Sequence, residues 1–259
     1  MSQIIYGIHP VKEALHCLSL QFEKIFISTK NPSPSLKIII DIAQKNLIPL
    51  EFTTKEVLNK LAKGGVHQNV VALIKETSYI TLEELLSRWR NEGSRALFLI
   101  LDSIQDPHNL GSLIRTALGC GAHGIIIPKD RSVGLTPGVI KASSGAAMHL
   151  PISRVTNLAS TLDILKENGI WIYGATAEAK ERVFELDFTI DVGIVIGSES
   201  KGIRSLVKKK CDRLFSIPMK GPISSFNASI SGGMILYEVT RQRSILRKEA
   251  KNDSYPETR

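Results

Sequence analysis

The chain has 259 residues, a formal net charge of +8 and an apolar content of 43%. This length allows one large or two ordinary domains with a sizeable core, and the positive charge is compatible with a polyanionic partner such as a nucleic acid. No apolar run approaches the roughly 18 residues of a membrane-spanning helix. The N-terminus also lacks the basic and apolar segments of an export signal. We therefore expect a globular protein of the cytoplasm with no membrane partner.

The three cysteines, Cys17, Cys120 and Cys211, lie far apart in the sequence and form no C-x-x-C pair. This spacing is typical of reduced structural thiols. The six histidines are scattered as well, with neither an H-E-x-x-H motif nor a Cys/His cluster. Because zinc sites need such clusters, we predict no metal site.

Residues 1–75 are predicted to form a small α/β domain, because helix-like and strand-like patterns alternate along them. Its helices are predicted at Pro10–Leu18, Ser35–Lys45 and Thr54–Ala62, and its strands at Lys24–Ser28, Leu50–Phe52 and Val70–Ile74. Nine lysines, five acidic residues and no arginine give this domain +4, half of the formal excess. In the polar loop 64–69, His67 has two open interpretations: it satisfies the loop backbone, or it contacts a nucleic acid.

Residues 76–95 are predicted to be a linker, since they combine a polar connection with one amphipathic helix at Leu82–Trp89. Residues 96–246 alternate near-continuous apolar strands with helices, which predicts a parallel sheet covered on both faces. The strands are predicted at Leu97–Leu101, Gly124–Ile127, Ile170–Tyr173, Gly193–Ile196 and Leu214–Ile217, with a short extended piece at Met148–Ile152. The helices are predicted at Leu110–Cys120, Pro137–Ser143, Asn157–Glu167, Ile203–Lys209 and Phe226–Leu246. Residues 247–259 are polar and aperiodic, and we expect a disordered basic tail.

The first strand of the second domain runs into a polar segment, Asp102–Asn109, where parallel sheets place their sites. Asn109 has two open interpretations, as the N-cap of the following helix or as a site residue. Arg115 lies about two turns into that helix, which is otherwise small and apolar. Because a largely buried arginine needs a carboxylate or phosphate partner, Arg115 is a candidate site residue.

A second strand, loop and helix start follow at Ile194–Ile203. Gly197 permits a close backbone approach to a ligand. Glu199 is either a site residue or a first-turn acid that the helix dipole favours. The segment matches neither the G-x-G-x-x-G pattern of dinucleotide-binding folds nor the loop that binds nucleoside triphosphates.

A third such transition lies at Ser216–Met234, where Ser225 and Asn227 are typical helix-start residues. A polar loop that leads into a helix N-terminus presents backbone N–H groups that suit a cofactor or an anion. A plain turn between a strand and a helix has the same pattern, so this segment alone does not decide between the two interpretations.

These three segments, in this order, resemble the motifs of the SpoU (TrmH-like) branch of the SPOUT methyltransferases. The motifs are the Asp-Pro-His-Asn-Leu-Gly-Ser run that leads to Arg115, the Ile-Gly-Ser-Glu-Ser-Lys-Gly run around Glu199, and the Ser-Ser-Phe-Asn-Ala-Ser-Ile-Ser run around Asn227. The resemblance covers nearly the whole chain, because Tyr6–Val11 and Gly65–Gln68 are similar to the L30e-like RNA-binding domain that precedes the catalytic domain in this branch's ribosomal RNA enzymes.

The resemblance implies an α/β fold with a C-terminal trefoil knot, an exception to the rule against threaded chains. It also implies S-adenosylmethionine bound in the knot and methylation of a ribose 2′-hydroxyl in RNA. The catalytic group that it implies is Asn109, Arg115, Glu199, Ser225 and Asn227. The adenosine of the cofactor would be held, chiefly by backbone groups, at Gly197, Ile217 and Phe226, with Met219 nearby. This chain departs from the family at Phe226, where leucine is usual.

Chemistry assigns roles within this implied group. A guanidinium is a very weak acid and rarely gives up its proton, so we expect Arg115 to hold the acceptor's phosphate and to favour the developing alkoxide. Glu199 would orient Arg115 or accept the proton through water. Ser225 and Asn227 would anchor the loop and the nucleotide.

Alternatives to this function concern the RNA that accepts the methyl group and the activity of the protein. The dedicated front domain favours a guanosine in large-subunit (23S) ribosomal RNA, with transfer RNA as the alternative acceptor. A non-catalytic RNA-binding or assembly protein could keep the same fold, whereas the missing glycine fingerprint argues against a nicotinamide oxidoreductase.

Members of the family are homodimers that pack through the knot and the last helix, and Phe226–Leu246 carries enough apolar surface for such an interface.

Overall fold

The structure is a computed structural model that describes residues 2–18, 22–29, 31–75, 79–222 and 225–252. Contacts within the chain divide it into two compact units, a first unit at Met1–Ser78 and a second unit at Tyr79–Arg259. Among the described residues, no helix is both long and apolar enough to cross a membrane.

The first unit is a mixed sheet with helices. Its strands are β1 (Ser2–Tyr6), β2 (Phe22–Ile27), β3 (Leu50–Phe52) and β4 (Val70–Lys75), and its helices are α1 (Ile8–Leu18), α2 (Pro34–Lys45) and α3 (Lys55–Leu61). In the described part of this unit the strand order is β1-β4-β2-β3, with β4 antiparallel to both of its neighbours and β2 parallel to β3. The sequence predicted these elements except β1.

The loop between α3 and β4 is held by its own side chains. His67 is buried, its Nε2 lies 3.0 Å from Asn59 Oδ1, and its Nδ1 accepts a hydrogen bond from the Asn69 backbone N–H. Gln68 and Asn69 both have positive φ, a conformation that costs free energy in residues other than glycine. The structure therefore favours the first interpretation of His67, that it satisfies the loop backbone.

The second unit is built on a parallel sheet. Its strands are β5 (Leu97–Asp102), β6 (Gly124–Pro128), β7 (Ile152–Val155), β8 (Trp171–Ala175), β9 (Glu181–Arg182), β10 (Val192–Gly197) and β11 (Arg213–Ser216). Its helices are α4 (Leu82–Glu92), α5 (Pro107–Gly119), α6 (Pro137–Ala142), α7 (Leu158–Glu167), α8 (Ser205–Lys210) and α9 (Ala228–Asn252). Within the described residues the strand order is β7-β6-β5-β10-β8-β11-β9, and every pairing is parallel.

Helix α4 differs from its predicted place in a linker at 76–95. Its apolar face, with Leu85 and Leu86 buried, packs in the same core cluster as Phe98 and Ile100 of β5. Thr81 caps its start and Gly93, in the left-handed conformation, ends it. An amphipathic helix gains stability by burying its apolar face, and here the nearest partner for that face is the second unit.

Three other elements also differ from the predictions, and one of them, the two-residue strand β9, has no predicted counterpart. The extended piece expected at Met148–Ile152 is a short 3₁₀ turn at Ala146–Met148 followed by β7. Helix α9 continues to Asn252, so residues 247–252 are helical rather than a disordered tail. The rest of the predicted tail, 253–259, lies outside the described residues.

Two cysteines in the described part of the chain, Cys120 and Cys211, are free thiols. Burial raises the pKa of the Cys211 thiol to about 12, and the nearby carboxylate of Asp212 adds to the effect. Cys211 is therefore protonated at neutral pH and is a weak nucleophile, as a structural thiol should be. The side chain of Cys17 lies outside the described residues.

Helices α5 and α6 approach each other closely at Gly111. A Cβ atom at this position would lie 2.4 Å from the Ala142 Cβ and 2.8 Å from both the Ser143 nitrogen and the Val139 oxygen. Such a contact involves backbone atoms that have no freedom to rotate away. The glycine therefore sets the distance between the two helices that cover this end of the sheet.

We predict that Gly111→Ala lowers the free energy of unfolding by about 1–3 kcal/mol, because the added methyl group overpacks the contact. Gly119→Ala in the same helix is the matched control, since its Cβ would meet nothing within 4 Å. That variant should be neutral or more stable by up to about 1 kcal/mol, because alanine is the better helix former. Urea unfolding measures both values, and equal stability of the two variants would contradict the predicted contact.

Candidate active site

Two asparagine side chains and a backbone N–H from distant parts of the chain meet at Glu199. Its Oε1 accepts hydrogen bonds from Asn109 Nδ2 at 2.9 Å, from the Ala228 backbone N–H at 3.2 Å and from Asn227 Nδ2 at a shorter distance. Asn227 Nδ2 also lies 3.0 Å from Asn109 Oδ1. This Glu199 network joins the start of α5, the loop after β10 and the start of α9.

The helix caps show why these residues point towards each other. Asp106 is the N-cap of α5 and accepts from the His108 and Asn109 backbone N–H groups. Asn109 is therefore not the cap, and its buried side chain is free to join the network. Asn227 caps the start of α9 and also belongs to the network. Its Oδ1 accepts from the Ser229 backbone N–H at 2.9 Å, while its Nδ2 donates to the network.

Arg115 lies elsewhere. Its side chain is exposed, and its Nη1 donates to Ser144 Oγ at 3.0 Å. The prediction that Arg115 is largely buried is wrong. In the described part of the chain, Glu199 accepts hydrogen bonds from two asparagines and a backbone N–H instead of Arg115. Helix geometry explains the separation, because six residues rise about 9 Å and turn by about 240°, so Asn109 and Arg115 occupy different faces of α5.

A cavity of about 420 Å³ lies beside the network, at the carboxyl ends of the parallel strands. This volume is within the range of roughly 300–1,000 Å³ that is usual for small-molecule sites. All the residues predicted to bind a cofactor line it, together with two members of the predicted catalytic group: Gly197, Ile217, Met219, Phe226, Glu199 and Ser225. Apolar side chains, glycine backbone and a few charged groups are suited to an adenosine with a polar tail, so the residues present fit S-adenosylmethionine.

Gly197 is required for a reason that differs from the predicted one. A Cβ atom here would lie 2.0 Å from the Gly202 carbonyl carbon and 2.2 Å from the Ile203 nitrogen. Ser198 and Gly202 exchange two backbone hydrogen bonds, of 3.1 and 2.8 Å, that fold the loop back on itself. The glycine therefore admits the chain's own loop, and this tight loop forms one wall of the cavity.

An ion pair that sequence analysis missed fixes the end of the same loop. The carboxylate of Asp102, which is fully buried, accepts from the Arg204 backbone N–H at 2.8 Å and from Arg204 Nε at 2.6 Å. A buried carboxylate needs such partners. The signal was an acidic residue that directly follows an apolar strand, Asp102 after β5, but the sequence does not show that its partner lies 102 residues away.

No group of three or more His, Cys, Asp or Glu side chains within the described ranges is arranged to hold a metal ion. The polar side chains that line the cavity instead carry hydroxyls, ammonium groups of lysine and carboxylates. Their chemistry is binding and orientation of a polar organic ligand.

We predict that Glu199→Ala lowers the free energy of unfolding by about 1–3 kcal/mol, because Asn109 and Asn227 lose the acceptor on which they converge. Glu199→Gln should cost less, since its amide oxygen keeps the acceptor and removes only the charge. Urea unfolding of the two variants makes the comparison. If the alanine variant were no less stable than the glutamine variant, the network would not hold the three segments together.

Family models match both units of the chain. The model described as the SpoU rRNA Methylase family matches residues 96–237, and the model for RNA 2′-O ribose methyltransferase substrate binding matches residues 4–80. The first of these matches alone spans more than half of the chain.

Individual relatives agree with the family models. The putative TrmH family tRNA/rRNA methyltransferase YacO of Bacillus subtilis is 44% identical over 220 residues, which are 85% of this chain and 88% of the relative. The 23S rRNA (guanosine-2′-O-)-methyltransferase RlmB of Coxiella burnetii is 40% identical over 245 residues, 94% of this chain and 98% of the relative.

A solved structure shows the same fold. The SpoU methyltransferase AviRb of Streptomyces viridochromogenes, crystallised with its cofactor AdoMet, superposes with a TM-score of 0.66 at 24% identity, covering 94% of this chain and 91% of AviRb. The likeness confirms the predicted fold class of a small N-terminal domain followed by a mostly parallel SPOUT domain. With both units matched by family models and the relatives matched over most of their length, the chain belongs to the SpoU rRNA methylase family.

Proposed function

We propose that this protein is an RNA 2′-O-methyltransferase that modifies the ribose of a guanosine in 23S ribosomal RNA, with S-adenosylmethionine as its cofactor. The observation that carries the proposal is the Glu199 network beside a cavity of about 420 Å³ that Glu199 also lines. Relatives named as 23S rRNA guanosine methyltransferases, at 38–40% identity over most of the chain, support the substrate. A ribosomal RNA substrate also implies a cytoplasmic location.

The cavity residues have a binding role in this proposal. Gly197, Ile217 and Phe226 hold the adenosine, chiefly through backbone groups, with Met219 beside it. When bound, S-adenosylmethionine supplies an activated methyl group on a sulfonium. The Asp102–Arg204 pair holds the loop that walls the cavity in place. The loop therefore loses little conformational entropy when a ligand binds.

The network orients the acceptor. In the described part of the chain, the hydrogen bonds that Glu199 accepts all end on Oε1, so Oε2 is available for the 2′-hydroxyl, directly or through water. Asn109 and Asn227 keep the carboxylate in one orientation, and Ser225, which also lines the cavity, anchors the nucleotide. Fixed geometry of this kind is a large source of rate acceleration in a reaction between two bound groups.

Arg115 binds the acceptor's phosphate in this proposal. Its exposed guanidinium is suited to a ligand that arrives from solution, and its five donors match a phosphate bidentately. The bond to Ser144 holds the side chain along the surface between α5 and α6 before RNA binds.

The proposed function is tested by transfer of labelled methyl from S-adenosylmethionine to unmodified 23S ribosomal RNA and, in parallel, to unmodified transfer RNA. We expect labelling of the ribosomal RNA at the 2′-oxygen of one guanosine, mapped by resistance to alkaline cleavage. Labelling of transfer RNA alone would show that transfer RNA, and not ribosomal RNA, is the acceptor. If the cofactor bound and neither RNA nor a ribosome assembly particle were labelled, the protein would be an RNA binder that keeps the fold.

For Arg115 we predict that the change to lysine lowers turnover at least about tenfold, because a point charge does not replace a bidentate clamp. Binding of S-adenosylhomocysteine should stay unchanged, since Arg115 does not line the cavity. Arg131→Lys, also at an exposed arginine, is the matched control. Full turnover by the Arg115 variant would remove the clamp from the mechanism.

The proposal also includes a trefoil knot in the C-terminal part of the second domain and a homodimer packed through the knot and the last helix. Helix α9 exposes an apolar stripe, Ile230, Met234 and Tyr237, at the spacing of one helix face. Exposed apolar stripes of this kind are typical of a twofold interface.

We predict that Met234→Glu converts the dimer to a monomer, because a charge at the centre of the stripe would be buried without a partner. Ile164→Glu is the control, since Ile164 on α7 is 41% exposed, close to the 42% of Met234. Light scattering after size exclusion measures both masses. A dimeric Met234 variant would place the interface elsewhere.

A further inference from the structure

Two opposite charges meet at the rim of the cofactor cavity and have no part in the mechanism above. Glu178, in the loop after β8, and Lys208, on α8, both line the cavity, and Lys208 Nζ donates to Glu178 Oε2 at 2.6 Å. Thr176 Oγ1 lies 3.5 Å from the same oxygen. The pair sits in solvent, with the Glu178 side chain 79% exposed. An exposed ion pair contributes little to stability, so its place at the rim suggests a ligand.

The order of the strands indicates which part of the ligand this rim faces. The sheet runs β5-β10-β8-β11, so the loop after β8 lies between the loop after β10, which holds Glu199, and the segment after β11, which holds Ile217. Neighbouring strands are about 4.8 Å apart. The backbone of Thr176 also donates to Phe215 of β11, which fixes the start of the β8 loop in this middle position.

S-adenosylmethionine has a matching order of parts. In the proposed function its sulfonium would face the Glu199 network and its adenosine would lie against Ile217 and Phe226. With the adenine at these two residues, the ribose would be the group between the adenine and the sulfonium. The ribose of a bound cofactor would therefore lie at the level of the β8 loop. Its 2′- and 3′-hydroxyls form a pair of donors for which a carboxylate is a good acceptor, as in dinucleotide-binding folds.

The protonation state of Glu178 suits it to accept hydrogen bonds from the ribose hydroxyls. The hydrogen bond from Lys208, followed by its charge, holds the pKa of Glu178 below the ordinary value, so the side chain is an ionised acceptor at neutral pH. Both of its hydrogen bonds in the described residues end on Oε2, which leaves Oε1 to accept from a ligand.

We propose that Glu178, positioned by Lys208, binds the ribose hydroxyls of the cofactor and so selects ribonucleoside ligands at this cavity. The inference rests on the proposed function, because it takes S-adenosylmethionine as the occupant. It adds a binding residue outside the three motifs, on a loop that sequence analysis left unassigned.

The test uses calorimetry with the full chain and three probes: S-adenosylhomocysteine and its 2′-deoxy and 3′-deoxy ribose analogues. In the unaltered protein we expect at least one deoxy analogue to bind about ten- to a hundredfold more weakly, the loss expected for a hydrogen bond to a charged group. In Glu178→Ala, S-adenosylhomocysteine should weaken by a similar factor while the deoxy analogue that had lost affinity weakens no further. This non-additivity isolates the contact between the side chain and the hydroxyl.

Two control variants accompany the test. Glu167→Ala removes another exposed carboxylate, and Lys209→Met removes the exposed lysine next to Lys208; neither residue lines the cavity. Both should bind all three probes as the unaltered protein does. Equal weakening of all three probes by Glu178→Ala, or no weakening of any, would overturn the inference while the proposed function stood. If the unaltered protein failed to bind S-adenosylhomocysteine, the proposed function would fail and the inference with it.

Discussion

The hydrogen bonds that converge on Glu199 Oε1 are the contact on which the site depends. They join Asn109 and Asn227, which are 90 and 28 residues away from Glu199 in the chain. Apolar packing between the start of α5, the loop after β10 and the start of α9 is not directional. Hydrogen bonds fix orientation as well as distance. This network therefore sets the orientation of the Glu199 carboxylate relative to the cavity.

The loop after β10 is held at both of its ends. Gly197 lets the chain turn back so tightly that a methyl group would not fit, and the buried Asp102 carboxylate holds Arg204 where the loop ends. Since β10 pairs with β5 along its whole length, Asp102 lies beside Gly197 in register. One strand pair therefore positions the polar segment before α5 and the cavity wall together, and the first and second motifs form a single structural unit.

Sequence analysis predicted the fold class and most of the elements, because buried parallel strands and amphipathic helices have strong local patterns. It did not predict partners that depend on three-dimensional contacts. Arg115 was expected to be buried beside Glu199, yet helix geometry turns it to another face. The N-cap of α5 could have been assigned, since Asp106 directly precedes a proline at the first helical position. The predicted linker had an amphipathic helix, but its pattern does not show which unit buries the apolar face.

A crystal structure of the protein with S-adenosylhomocysteine would test most directly the claim that the Glu199 network and the cavity form one site. We predict that the sulfur lies on the Glu199 side of the cavity, with room for an acceptor oxygen about 3–3.5 Å from the position of the transferred methyl group. The adenine should lie beside Ile217. A ligand bound with its adenine against Glu199, or bound at a groove away from this cavity, would contradict the claim.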